Sequence, residues 1–79
     1  MLWFFFHTRV NGTLTIDPEG SEFHDLDAAK KEAIAALREM IADRLRGGGL
    51  LIVPQIEVAD QAGQTLAIVT LRDAMDLPR

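Results

Sequence analysis

The sequence predicts an α+β fold in the order ββαββ, a four-stranded sheet with one long helix packed on one face. Three observations carry this. Leu26, Ala29, Ala33, Leu37, Met40, Ile41 and Leu45 recur at three- and four-residue spacing, the stripe of an amphipathic helix. Asn11-Gly12, the pair best suited to a two-residue hairpin turn, separates two alternating stretches. Beyond the helix, two further apolar stretches flank Asp60-Gln61-Ala62-Gly63, a second turn. The 79 residues suffice for one domain, 1–79, with one core.

In the first strand, Leu2 to Val10, period-two alternation puts Phe4, Phe6 and Thr8 on one face and Trp3, Phe5, His7 and Arg9 on the other. Both faces are apolar near the start, which suits a central strand or one beneath a second layer. The return strand, Thr13 to Asp17, has one dry face, Leu14 with Ile16, expected to point at the helix. Asp17-Pro18-Glu19-Gly20 reads as a turn, and Phe23 as a staple under the helix start. The helix, Asp25 to Arg46, is capped by Asp25 or Asp27, ends on basic Arg44 and Arg46, and stops at Gly47. Leu50 to Ala59 is strand-like but interrupted by Pro54, which cannot donate to a ladder; Ile56 and Val58 are its inward residues. Thr65 to Leu71 returns with both faces apolar, so its inward set stays open, and Arg72 to Leu77 has room for one helical turn. Two strand orders remain, 2-1-4-3 and 2-1-3-4, numbering the four expected strands along the chain.

Without cysteine, disulfides and thiolate metal sites are excluded. The opening Met-Leu-Trp-Phe-Phe-Phe lacks the basic start and cleavage site of a signal peptide, and no apolar run approaches the roughly 20 residues of a membrane span. A cytoplasmic protein without membrane association is expected. Asn11-Gly12-Thr13 matches a glycosylation acceptor only formally; without export it is the hairpin turn. The net charge of −4 opposes non-specific binding to phosphate backbones.

Several segments in order, Trp3-Phe4-Phe5-Phe6-His7, Asp17-Pro18-Glu19-Gly20, the Asp25-Leu26 cap, the alanine-rich helix, Glu57-Val58-Ala59-Asp60 with Gly63, and Leu71-Arg72-Asp73-Ala74, form a pattern across nearly the whole chain. This pattern resembles a family of short bacterial proteins, grouped as a domain of unknown function, that start with an aromatic Tyr-Phe-Phe-His-type strand. The resemblance implies a small single-domain α+β protein, and no activity, substrate or cofactor. At Gly47 to Pro54 this chain departs from the pattern, which has a shorter, more polar connection.

The candidate ligands are His7, Asp17 and His24, which with Glu22 or Asp25 offer imidazole and carboxylate groups to a metal. No local ligand pair is present, so neither metal nor cofactor is expected. Ser21, the threonines, both histidines and the carboxylates match no catalytic spacing, which points away from an enzyme. One helix covers one face of a sheet, leaving Trp3, Phe5, His7 and Arg9 as the candidate interaction surface. The alternative is that Leu50, Leu51 and Val53, or the C-terminal turn, fold over Trp3 and Phe5. The sequence therefore reads as an interaction module that self-associates through the sheet face or edge, as a homodimer or with an unidentified protein partner. Other readings are a regulatory nucleic-acid binder using Lys30, Lys31 and Arg38 with Arg9, and a small-ligand or metal domain around His7, Asp17 and His24.

Overall fold

The computed structural model describes residues 1–48 and 52–75. In chain order they form β1 (Leu2–Val10), β2 (Thr13–Thr15), β3 (Ser21–Phe23), α1 (Leu26–Arg46), β4 (Gln55–Ala59), β5 (Thr65–Val69) and α2 (Leu71–Met75). The sheet is antiparallel in the order β2-β1-β4-β5, with β3 also pairing to β1. Of the two expected orders, the one that leaves the last strand at an edge is found. The sheet has five strands rather than four, because Ser21–Phe23 pairs with Phe4–Leu2.

β1 is the central element. Asn11 (φ 51°) and Gly12 (φ 84°) turn the chain tightly, so Val10 pairs with Thr13 and Arg9 with Leu14. Directly opposed residues share a face, and this register places Leu14 beside Arg9, away from the helix. The expectation that Leu14 and Ile16 face the helix is thus corrected. Ile16 has left the ladder, and 58% of its surface is exposed.

α1 covers the Phe4 face. Ala29, Ala33 and Leu37 are fully buried against Phe4, Ile56, Val58 and Val69, with Phe6, Phe23 and Ala67 packed at the margins. Each fully buried Leu, Ile or Val contributes about 1.5–3 kcal/mol. The inward set of β5 is therefore Ala67 with Val69. Leu45, expected in the helix stripe, is 60% exposed, as the helix end extends past the core. Asp25 is the N-cap, accepting the Ala28 N–H at 2.8 Å. Gly47 stays right-handed, and Gly48 makes the left-handed exit expected one residue earlier.

Pro54 is buried, and β4 begins directly after it, as its missing N–H requires. The earlier start expected at Leu50 falls partly outside the described residues. So does the continuation of α2 to Leu77; its described turn packs on α1, where Arg38 Nε donates to the Ala74 carbonyl at 2.7 Å.

Candidate functional site on the uncovered side of the sheet

Alternation along β1 turns Trp3, Phe5, His7 and Arg9 to the side opposite α1. β4 adds Glu57 and Ala59 beside His7 and Phe5, and β5 adds Ile68 beside Glu57. The short dimension of the molecule is 16 Å, enough for one sheet and one helix layer and no third. The C-terminal turn expected to fold over Trp3 and Phe5 instead joins the helix layer as α2, with Ala74 in the core. Of the other expected cover, Leu50 and Leu51 lie outside the described residues, and Val53 is half-buried. Trp3 is 41%, Leu66 40% and Ile68 53% exposed. Arg9 and Glu57 form an ion pair across this surface.

At one border, β2 and β3 both run antiparallel to β1, β2 against its end and β3 against its beginning. Between them Ile16–Gly20 leaves the ladder opposite Phe5–His7. Asp17 repairs the gap with its side chain. Oδ2 accepts the Phe6 N–H at 3.1 Å, and Oδ1 accepts the N–H groups of Glu19 (3.1 Å) and Gly20 (3.2 Å). Burial alone would raise the Asp17 pKa. The N–H groups of Phe6, Gly20 and Glu19, helped by the field of His7, outweigh it and hold the carboxyl below its ordinary 3.8. Gly20, at φ +70°, lies under the Phe5 ring, and a Cβ there would sit 2.6 Å from Phe5 Cε2.

Of the three candidate ligands, the fold brings two together, and it occupies His7 Nδ1 and three of the roughly four acceptor positions of the Asp17 carboxylate in doing so. The Asp17 N–H donates to His7 Nδ1 at 3.1 Å, so the neutral ring carries its proton on Nε2. His24 follows Phe23, which pairs with Leu2, and so lies roughly 20 Å further along β1 at about 3.4 Å per strand residue. Among the described residues no three side chains of metal-binding type converge. A shallow depression of about 290 Å³ remains between Phe5, His7, Ile16, Pro18 and the Asp60–Gly63 turn. The expected cation surface divides between layers: Lys30, Lys31 and Arg38 belong to α1, and Arg9 to the opposite side of the sheet.

Sequence reading missed two features that shape this surface. One is the side-chain splice at Asp17, whose signal is the Asp-Pro-x-Gly turn itself, since Asp accepts from amides two and three residues on. The other is the bulge between Val58 and Ala59, concealed by the apolar residues on both faces of β5, which leaves Leu66 without a partner on β4.

Among the described residues no helix is long and apolar enough to cross a membrane. No curated protein and no solved structure matches the chain. A family model does match, over residues 3–72, from Trp3 in β1 to Arg72 in α2, and the chain belongs to that family, described as a domain of unknown function (DUF6894).

Proposed function

We propose that this protein is an interaction module that associates with a second copy of itself through the surfaces its sheet leaves uncovered. The observation that carries this reading is one-sided layering. α1 and α2 lie on the Phe4 side, while Trp3, Leu66 and Ile68 meet solvent elsewhere. Apolar side chains exposed on a side that no second layer covers are characteristic of association surfaces. Physical need points the same way: a core of this size supplies about 3–5 kcal/mol unaided, and subunit burial adds to it. Ligand and nucleic-acid readings draw less support, since His7 Nδ1 and most acceptor positions of Asp17 are spent on backbone N–H groups and the cations divide between layers.

Sedimentation equilibrium across a concentration series, with Trp3 fluorescence followed in the same samples, tests the proposal. The expected result is a mass that rises from one chain to two. A single-chain mass at every concentration overturns it.

A further inference from the structure

The geometry points to the outer edge of β5 as the contact: two copies pair β5 against β5, antiparallel, about a two-fold axis at Ala67, making one continuous sheet. This rests on the self-association reading and names its surface.

The direction of each backbone group follows from one hydrogen bond. The Phe6 N–H goes to Asp17, away from β4. Antiparallel strands alternate the side to which they present N–H and C=O, so Phe5, His7 and Arg9 present theirs to β4. Their partners Ala59, Glu57 and Gln55 face β1 in return, which leaves Ile56 and Val58 facing β5. Val69 and Ala67 answer them. Ile68, between these two, directs its N–H and C=O outward from the sheet. Leu66, the extra residue of the bulge, is where this alternation breaks, since Gln64 as well as Ala67 faces β4, the Gln64 carbonyl accepting from the Asp60 N–H at 2.9 Å. At the next outward position the fold closes the edge itself: the Thr70 N–H donates to Asp73 Oδ2 at 2.8 Å, and the Thr70 carbonyl accepts from Ala74 N–H at 3.1 Å.

The open portion is therefore short and lies around Ala67. An axis there sets Leu66 of each copy against Ile68 of the other, so that the outward N–H of each Ile68 donates across the seam. Thr65–Val69 holds no charged residue and no proline, so nothing in the strand repels its own symmetry mate or blocks pairing. The opposite edge cannot compete, because β2 and β3 have three residues each and Asp17-Pro18 interrupts them. With one usable edge among the described residues, the assembly closes at two copies instead of growing into a filament.

Amide hydrogen exchange on the full-length chain, below and above the assembly concentration found by sedimentation, tests this. The Ile68 amide is expected to slow by about tenfold or more on assembly, since it passes from water into a ladder. Ile68→Pro, which removes an outward N–H and leaves the β4 ladder intact, is expected to keep its helical circular dichroism and stay monomeric. A dimer whose Ile68 amide exchanges as fast as in the monomer overturns the edge assignment while self-association stands. A wild-type chain that is monomeric throughout overturns both. If Ile68→Pro does not fold, the exchange result on the unaltered chain decides.

Discussion

The two edges of this sheet are built to opposite rules. On the β2–β3 side the ladder is broken after three residues, passes through Pro18, and is bridged by a carboxylate instead of backbone. Such an edge offers an incoming strand neither length nor a regular row of donors. On the β5 side five uncharged residues form one strand, bulged at Leu66, with Ile68 more than half exposed. The difference teaches that one acidic turn guards the first edge along its middle, whereas on the opposite edge Asp73 closes only the end of β5 and leaves Ile68 open.

The sharpest break between inner and outer positions comes from proline on β5. Val69→Pro removes an N–H directed at β4 and opens the buried Val69 site, so a loss of about 3 kcal/mol or more is expected. Ile68→Pro, one residue away, should lose far less, and thermal unfolding of the two variants side by side checks the assigned directions. Equal loss would contradict them.

On the protected edge, Gly20→Ala forces a residue with a Cβ into a left-handed conformation and against the Phe5 ring. The strain is expected to cost about 1–2 kcal/mol. That lowers the melting temperature by roughly 4–8 °C per kcal/mol in a domain of this size.

Asp17→Ala removes the acceptor for three amides, and a comparable loss of about 1.5–2 kcal/mol is expected at neutral pH. Because the folded carboxyl has a lowered pKa, its stabilisation is fully present above the unfolded value of 3.8 and disappears as pH falls through the folded one. The stability gap between wild type and variant, measured by denaturant titration, should therefore narrow below pH 3.8. A gap that persists there would assign the effect to packing.

The smallest effect belongs to the uncovered face. Glu57→Gln breaks the pair with Arg9, which is 38% exposed, and should change stability by no more than about 1 kcal/mol. Raised salt should shrink the difference further.

Much of this architecture was legible. The α1 cap at Asp25, the Asn11-Gly12 turn and the division of β1 into two faces follow from local chemistry and period. Leu14 was legible too, since a two-residue turn pairs it with Arg9; its apolar character argued for the wrong side. β3 was hidden because its three residues continue an interrupted strand, and the interruption looks like an ending. Strand order was not legible, as it depends on which apolar surfaces meet after α1 forms. In β5, a bulge shifts the parity, and no alternation in Leu66, Ala67, Ile68 and Val69 reveals it. Of the candidate ligands, the contact between His7 and Asp17 was foreseeable from the hairpin, whereas its use in holding the strand together needed the geometry.

The central place of β1 also sets the order of folding. Its pairing with β2 is local and can form within about 1–10 μs, but an isolated two-stranded hairpin is at best marginally stable. Its pairing with β4 joins residues about 50 positions apart, and that loop closes only when α1 has formed and docked. The rate-limiting step is thus expected to be the arrival of β4, with the β5 edge completed afterwards. Substitutions at the Phe6–Val58 contact should slow folding, and substitutions at Ile68 should leave the folding arm of the chevron unchanged. Until that step finishes, β1 exposes a strand edge of its own, so the interval before β4 docks is when the chain is most open to mispairing.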